Sequence, residues 1–242
     1  MKYAIIAAGE GSRLAKEGVS APKPLVKVNG TCLIDRLISV FMDNNAEEII
    51  VICNSSMTDV SKHLAELQKN GLNGTSVPLR FIVKSTPSSM HSFYEISKYL
   101  EDSPFCLTTV DTIFHENEFK QYINEFAECA ESGNADGMMG VTDFIDDEKP
   151  LYVGTDENMN ITGFFDEKNN CKLISGGIYG LTPAAITILR QCIERGDSRM
   201  RNFQRALVAA GCRLKARLFS KVLDIDHAGD ITKAEKFLNG ES

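Results

Sequence analysis

The stretch YAIIAAGEGSRLAKEGVSAPKPL, residues 3–25, joins a short apolar run to a long loop of glycine, proline and charged residues. The apolar run has the length of a buried β-strand and is too short to span a membrane. No helical periodicity returns until about residue 31, although a strand and a helix are usually connected by about 2–6 residues. A loop of this length directly after a buried strand indicates a functional role.

The chemistry of the loop favours phosphate binding. Gly9 and Gly11 let backbone N–H groups approach an anion closely and permit a positive φ. Arg13 and Lys23 supply the positive charge that a triphosphate requires, and a proline on each side of Lys23 restricts the backbone there. We therefore expect the loop to bind the phosphates of a nucleotide.

Two common glycine motifs do not fit the loop. The Walker motif G-x-x-x-x-G-K-[ST] has no match in it. The dinucleotide motif G-x-G-x-x-G would need a third glycine where Leu14 stands, and the side chain of Arg13 does not suit a tight turn that opens a helix. These mismatches disfavour NAD binding, although the fold class would be related.

The motif AAGEGSRL at residues 7–14, followed by PKPLVKVNG at residues 22–30, resembles the signature of the nucleotidyltransferases that make nucleoside-diphosphate sugars and related compounds. That signature is approximately A-A-G-x-G-[ST]-R-L and then P-K-x-[LM]. The resemblance implies a nucleoside triphosphate donor, attack by a substrate phosphate on the α-phosphorus, and release of pyrophosphate.

The resemblance also implies roles for the residues of the loop. Lys23 would bridge the reacting phosphates and Arg13 would meet the leaving pyrophosphate, so both are predicted catalytic residues. The loop residues expected to bind the nucleotide are Ala7, Ala8, Gly9, Gly11 and Ser12.

Three aspartates are candidates for a magnesium site. Asp111 follows the apolar run FCLTTV, at the carboxyl end of a predicted strand, where open parallel sheets place ligand chemistry. Asp224 and Asp226 lie near the end of the chain, and strand alternation would point both to one face. Mg²⁺ takes one or two carboxylates and fills its other positions with phosphate and water. The resemblance supports Asp111 and one of the other two, with a slight preference for Asp226.

The segment STPSSMHSF, residues 85–93, is the candidate contact to the base or ribose. It follows a predicted strand and opens a helix, so its hydroxyls and backbone N–H groups are available to a ligand. Ser88, Ser89 and Ser92 are therefore predicted to bind the nucleotide.

The acceptor is expected to bind in the second half of the chain. Lys168 in FFDEKNN and the strand SGGIYGL, residues 175–181, resemble elements with which family members contact the acceptor. Lys168 would offset phosphate charge, and Gly177 would admit a ring close to the backbone.

Short apolar runs alternate with amphipathic segments in the first half, which predicts an α/β fold with a Rossmann-like, mixed but mostly parallel central sheet flanked by helices. From about residue 143, turn signals between short apolar runs predict a small β-hairpin insertion. We expect a single domain over residues 1–242, with a nucleotide-binding part at about 1–142 and an acceptor-binding part at about 143–242. The predicted strands cover residues 3–7, 48–53, 79–83, 105–110, 137–141, 173–181 and 214–219. The predicted helices cover residues 31–41, 60–67, 93–100, 119–130, 183–195 and 200–210, and residues 231–238 form the last predicted element.

Composition narrows the class of protein. The formal net charge of −7 argues against a nucleic-acid partner, because nonspecific affinity for nucleic acid comes from clustered Lys and Arg. The seven cysteines include no C-x-x-C pair and no zinc-ligand spacing, which favours reduced thiols in a cytoplasmic protein. No apolar segment is long enough for a membrane partner.

These observations predict a magnesium-dependent nucleotidyltransferase whose partners are a nucleoside triphosphate and a phosphorylated small molecule, with a sugar 1-phosphate as the first choice of acceptor. A cytidylyltransferase for phosphocholine or another non-sugar phosphate stays open. A glycosyltransferase that consumes a nucleotide sugar could use residues 224–226 as its D-x-D motif, but such enzymes usually carry that motif mid-chain and lack the G-x-G-S-R loop. A noncatalytic nucleotide-binding regulator would have little use for Lys23 together with two separated metal carboxylates.

Overall fold

A computed structural model of the protein describes residues 1–241. Nine strands form one sheet, and two short ribbons of two strands each lie beside it. The strands of the sheet are β1 (Lys2–Ala7), β4 (Glu48–Cys53), β5 (Leu79–Val83), β6 (Phe105–Thr109), β8 (Gly137–Thr142), β9 (Tyr152–Thr155), β10 (Ile161–Phe165), β11 (Leu173–Leu181) and β12 (Leu214–Leu218). The ribbons are β2 (Lys27–Val28) with β3 (Thr31–Cys32), and β7 (Thr112–Ile113) with β13 (Leu223–Asp224). The helices are α1 (Ser12–Lys16), α2 (Leu33–Asp43), α3 (Thr58–Asn70), α4 (Ser89–Ser97), α5 (Glu116–Glu131), α6 (Ala184–Glu194), α7 (Met200–Ala209) and α8 (Ala228–Leu238).

The sheet mixes parallel and antiparallel pairs. Strands β5, β4, β1 and β6 are neighbours in that order and run parallel to one another. The long strand β11 runs antiparallel to β6 and β9 on one edge and to β8 on the other, and β12 then pairs parallel with β8. The predicted mixed, mostly parallel central sheet is confirmed.

The central strands of this sheet bury both faces. On β1, Tyr3, Ile5 and Ala7 belong to one apolar cluster, while Ala4 and Ile6 belong to the other. Helices α2, α3, α5 and α8 contribute to the first cluster, and α4, α6 and α7 to the second. A strand that is buried on both faces reads as a continuous apolar run, which is why the sequence reveals these strands clearly.

The predicted hairpin insertion is confirmed as β9 and β10, which pair antiparallel. The hairpin extends the main sheet, because β9 also pairs with the beginning of β11. Asn160 in its turn forms a bridge to Lys215 of β12, so the hairpin packs back onto the sheet.

The helices differ from prediction mainly where they begin. The helix predicted from residue 31 begins at Leu33, because Thr31 and Cys32 pair with β2 in a ribbon. The helix predicted from residue 93 begins at Ser89. The long loop after β1 is also partly helical, since it contains α1 and a 3-10 turn at Lys23–Leu25. None of the helices described over residues 1–241 is long and apolar enough to cross a membrane.

Candidate functional site

The carboxyl ends of four parallel strands meet at one edge of the sheet. The register places Ala7 of β1 beside Cys53 of β4, Cys53 beside Val83 of β5, and Ile6 of β1 beside Thr109 of β6. The four segments that follow these strands therefore leave the sheet side by side, which is where open parallel sheets bind their ligands.

These segments enclose a cavity of 660 Å³, here called the loop cavity. Its lining includes the side chains of Lys23 and Asp111 as well as backbone of the glycine-rich loop. The predicted nucleotide-binding residues on its lining are Ala8, Gly9, Gly11, Ser88, Ser89 and Ser92. The other two lie beside it, since Ala7 is buried at the end of β1 and Ser12 is exposed at the start of α1.

The serine segment is tied together by its own hydroxyls. Oγ of Ser92 is 2.6 Å from Oγ1 of Thr86, and Oγ of Ser88 is 2.9 Å from Nδ1 of His91. Ser88 precedes α4, but its side chain makes no capping hydrogen bond to the helix backbone. The segment is held as a preformed wall of the loop cavity.

Asn54 is a residue of this cavity that the sequence reasoning missed. It is 6% exposed, and its amide nitrogen donates to the carbonyl of Ala8 at 3.2 Å. Its oxygen accepts hydrogen bonds from Ser56 and Ser85, so one side chain fixes three of the loops. The signal was its place directly after an apolar strand, the same signal that identified Asp111.

Gly11 sets the relation between the loop and Lys23. Its φ is +62°, and a Cβ atom there would lie 3.2 Å from Cβ of Lys23. Glycine therefore satisfies both a left-handed backbone and a close approach. Gly9 has no positive φ, so a left-handed conformation there is not its role.

An ion cluster forms where the loop meets the end of the chain. Nζ of Lys23 donates to Oδ2 of Asp111 at 2.6 Å and to Oδ1 of Asp226 at 2.7 Å. Burial alone would lower the pKa of Lys23, but the charges and hydrogen bonds of the two aspartates outweigh it and raise that pKa above its ordinary value. Nη1 of Arg13 donates to the other oxygen of Asp226 at 2.9 Å. The structure thus brings together four of the residues that the sequence predicted.

A second cavity, of 370 Å³, lies on the other side of the ion cluster. It is called the acidic cavity, because carboxylates dominate its charged lining. The acidic residues are Asp146, Asp147, Glu148, Asp224, Asp226 and Asp230, and the basic residues are Arg13, Lys233 and His227. The sequence reasoning placed the acceptor-binding part from about residue 143 but did not single out the loop at residues 143–150, whose three consecutive acidic residues, 146–148, lie shortly after β8. Arg13 and Asp226 line this cavity while Lys23 and Asp111 line the loop cavity, so the ion cluster separates the two.

Asp224 stands near the cluster without joining it. Its side chain is exposed and lines the acidic cavity. The pKa of Asp224 is raised, first by desolvation and then by the charges of Asp111 and Asp226. Asp226 differs from Asp224. Burial would raise the pKa of Asp226, but its contacts with Lys23 and Arg13 outweigh burial and lower that pKa.

Asp111 and Asp226 are the carboxylates that could hold a metal ion. Both direct an oxygen at one cation, the ammonium of Lys23, so they face a shared point. Within residues 1–241, no group of three or more His, Cys, Asp and Glu side chains is arranged to hold a metal. The fit is therefore the two-carboxylate kind that Mg²⁺ completes with phosphate and water.

The two residues predicted for the acceptor do not line the acidic cavity. Lys168 lies in an exposed turn after β10, where its carbonyl accepts a hydrogen bond from the backbone of Cys171. Gly177 lies in a bulge of β11, nearest to the hydroxyls of Thr112 and Thr109, while its neighbour Gly176 does line the cavity.

The first loop is also joined to α8 by a histidine–carboxylate pair. Nδ1 of His227 is 2.6 Å from Oε1 of Glu17, and Oε2 of Glu17 accepts from the backbone N–H of Ala228 at 2.7 Å. The hydrogen bond to Glu17 raises the pKa of His227. Sequence reasoning missed this pair, because no local pattern connects positions 210 residues apart.

The chain is similar to known proteins over nearly its whole length. A model of the family described as nucleotidyl transferase matches residues 2–239. UTP–glucose-1-phosphate uridylyltransferase AglF of Haloferax volcanii is 24% identical over 250 residues, which cover 100% of this chain and 98% of that protein.

Solved structures share the fold over nearly the whole chain. A Bacillus anthracis protein assigned as a glucose-1-phosphate thymidylyltransferase has a TM-score of 0.82 and 18% identity, covering 98% of this chain and 94% of that one. The inositol-1-phosphate CTP transferase of T. maritima has a TM-score of 0.76 and 19% identity, covering 97% and 96%. At these identities the likeness establishes the fold alone.

Proposed function

The chain belongs to the nucleotidyl transferase family, and from that premise we propose that it transfers a nucleoside monophosphate from a nucleoside triphosphate to a sugar 1-phosphate, releasing pyrophosphate. The single observation that supports this best is the position of the ion cluster between two cavities. A triphosphate in the loop cavity and an acceptor in the acidic cavity would present their phosphates to each other at this cluster.

The chemistry requires charge compensation more than proton transfer. A phosphate that attacks a triphosphate brings two anions together, and its attacking oxygen is already ionised at neutral pH. Lys23 stays charged between its two aspartates, and it would exchange those contacts for phosphate oxygens when substrates bind. Arg13, held on Asp226 at 2.9 Å, would meet the leaving pyrophosphate, as the resemblance to the family signature implies.

We assign the magnesium ligands to Asp111 and Asp226. When bound there, the metal supplies positive charge that stabilises the transition state of phosphoryl transfer. Asp224 lies close enough for the charges of Asp111 and Asp226 to raise its pKa, but it makes no direct contact with the cluster. The proposal thus favours Asp226 over Asp224, as the sequence did.

The relatives support a sugar 1-phosphate as the acceptor, since the Haloferax volcanii protein is named for glucose 1-phosphate. A second candidate is an acceptor with a positively charged group, such as phosphocholine. The observation that favours it is the excess of carboxylates over basic side chains in the acidic cavity. A glycosyltransferase is disfavoured, because the whole-length family match and the ion cluster both support a triphosphate donor.

A substrate panel tests the proposal. ATP, CTP, GTP, UTP and dTTP are each combined with glucose 1-phosphate, other sugar 1-phosphates and phosphocholine, and pyrophosphate release is measured with magnesium and with EDTA. We expect release with at least one pair, in magnesium only. Asp111→Asn should lower kcat by about 10²–10³-fold, the scale for loss of one preorganised electrostatic group. Asp59→Asn, a change on the exposed surface of α3, should have no effect. Release that needs no metal, or full activity of Asp111→Asn, would contradict the assignment.

A further inference from the structure

Strand β11 carries a bulge where it passes the acidic cavity. Ser175 pairs with Val141 of β8, and the next pair is Ile178 with Gly140, so the two glycines between Ser175 and Ile178 are extra residues on β11. A bulge redirects side chains and is common beside ligand sites. Ser175 and Gly176 line the acidic cavity, so a ligand bound there lies within reach of Ser175.

The hydroxyl of Ser175 is bonded to an amide of helix α7. Nε2 of Gln204 donates to Oγ of Ser175 at 3.4 Å. Gln204 is 1% exposed and belongs to the buried face of α7, together with Met200, Phe203 and Leu207. An amide in such an apolar position destabilises the fold unless it is hydrogen bonded. Its presence there indicates a role beyond packing.

The amide of Gln204 is only half paired. Its Oε1 is enclosed and has no hydrogen-bond partner among residues 1–241. Buried polar atoms are nearly always paired, so an exception calls for an explanation such as a ligand. Exchanging the two ends of the amide would leave Nε2 unpaired instead, so the deficit does not depend on which end faces Ser175.

The hydroxyl of Tyr179 completes a group of three polar side chains. Tyr179 is 5% exposed and belongs to the apolar cluster to which α7 contributes. Burial raises the pKa of Tyr179, and its interactions with Gln204 and Ser175 counter part of that rise. All three side chains are therefore uncharged at neutral pH. They exchange hydrogen bonds with a ligand but offer it no charge.

These groups match a hydroxyl better than a cation. A hydroxyl of a sugar or polyol both donates and accepts, as the hydroxyl of Ser175 does, whereas the trimethylammonium group of phosphocholine does neither. A site built to hydrogen-bond a substrate hydroxyl rejects an analogue without it, because the polar groups of the site are then left unpaired. The carboxylates of the acidic cavity also accept bonds from hydroxyls, so their excess does not require a cationic acceptor.

We propose that Ser175 binds a hydroxyl of the acceptor, that Gln204 holds Ser175 in position for this contact, and that the pair selects a polyhydroxylated phosphate over phosphocholine. The proposal rests on the proposed function, because it takes the acidic cavity as the acceptor site. It makes Ser175 a substrate-binding residue and Gln204 a positioning residue that acts through Ser175.

Calorimetric titration in the absence of nucleotide tests the selection without turnover. The probes are glucose 1-phosphate, inositol 1-phosphate and phosphocholine. The wild type should bind at least one of the two hydroxylated phosphates more tightly than phosphocholine. Ser175→Ala should weaken that binding by about 10-fold, the scale of one hydrogen bond, and should leave the binding of phosphocholine as it is in the wild type.

A second variant tests the positioning role. Gln204→Met keeps roughly the volume of the side chain and removes its amide. It should weaken the binding of the hydroxylated phosphate but not that of phosphocholine, and it should add no further loss to Ser175→Ala, because both changes remove the same contact. A merely structural glutamine would alter only the unfolding free energy, measured with urea. The matched controls, Gln191→Met on α6 and Ser132→Ala after α5, change exposed residues and should bind as the wild type does.

Deoxy analogues of the hydroxylated phosphate locate the contact, and their test on the wild type does not depend on the folding of any variant. Replacing one hydroxyl of the ligand with hydrogen should weaken its binding to the wild type by about 10-fold at one ring position. Ser175→Ala should bind that analogue and the parent compound equally.

Either of two results would overturn the proposal: phosphocholine bound by the wild type at least as tightly as both hydroxylated phosphates, or wild-type binding of the hydroxylated phosphates by Ser175→Ala. Wild-type binding by Gln204→Met would remove Gln204 from it. Selective binding that depends on Ser175, without pyrophosphate release from any substrate pair, would refute the proposed function and leave the hydroxyl site intact. Pyrophosphate release with phosphocholine alone would do the reverse.

Discussion

Lys23 is 9% exposed and lies between two carboxylates at 2.6 and 2.7 Å. A buried ammonium is costly to desolvate unless it is paired, so Asp111 and Asp226 keep the charge in place before substrates bind. The packing of Lys23 against Gly11 fixes where its side chain leaves the loop. One cation is thus positioned beforehand at the point where the proposed reaction needs it.

Replacing Lys23 with alanine should lower kcat by about 10²–10³-fold, because a preorganised positive charge is lost at the reacting phosphates. The Michaelis constant for the acceptor should change less than kcat does. Steady-state pyrophosphate release measures both quantities. Lys27→Ala is the control, since Lys27 is an exposed lysine on the neighbouring ribbon, and it should keep wild-type kinetics. A mutant of Lys23 with unchanged kcat would remove the ammonium from the mechanism.

The sequence identified the members of the ion cluster because each follows a local rule. Lys23 and Arg13 stand in a recognisable loop, and Asp111 stands directly after an apolar strand. His227 and Glu148 follow no such rule, because their partners lie far away in the chain and are fixed only by tertiary packing. Long-range pairs of this kind are where reading a single sequence fails.

Strand β11 is the element that joins the two halves of the molecule. It pairs with β6 of the first half and with β8 and β9, the strands before and after the loop at residues 143–150. Its glycines allow close packing of α5, since a Cβ on Gly180 would lie 2.7 Å from Cγ of Phe126 and 2.8 Å from the hydroxyl of Tyr122. The sequence predicted the strand, but nothing local indicated which helix would pack on its glycines.

Gly180→Ala should destabilise the protein by about 1–3 kcal/mol, because both neighbouring rings are buried and overpacked cores relax poorly. Urea unfolding gives the free energy. Gly229→Ala in α8, where a Cβ meets open space, should instead leave the stability unchanged or raise it by up to about 1 kcal/mol through helix propensity. Equal stability of Gly180→Ala and the wild type would show that α5 can move away from β11.

The beginnings of β8 and β12 are joined by an ion pair that makes stability depend on pH. Oδ1 of Asp136 is 3.0 Å from Nη2 of Arg213, and this contact lowers the pKa of Asp136. A carboxylate with a lowered pKa stabilises the fold above its ordinary pKa, and that contribution is lost as the pH falls through the lowered value. The difference in unfolding free energy between the wild type and Asp136→Asn should therefore be largest near neutral pH and shrink below about pH 4. Urea unfolding at several pH values tests this, and a difference that does not vary with pH would contradict it.

At the scale of the whole molecule, the two cavities lie on opposite sides of one ion cluster. The loop cavity is built by the first half of the chain, and the acidic cavity is built mostly by segments after residue 140. The fold class, most strands and the hairpin were predictable, because strands buried on both faces have a strong local signature. The sequence predicted an acceptor-binding part after about residue 143, but the lining of the acidic cavity was not predictable, because it depends on the loop at residues 143–150 and on the path of α8 after Asp226.

The fate of labelled phosphorus tests the central claim most directly. The protein is incubated with magnesium, the acceptor and a nucleoside triphosphate labelled either at the α-phosphorus or at the γ-phosphorus. The account predicts that the α label appears in a nucleoside-diphosphate product joined to the acceptor and that the γ label appears in pyrophosphate. Transfer of the γ label to the acceptor, or its release as inorganic phosphate while the α label stays in a free nucleotide, would contradict it.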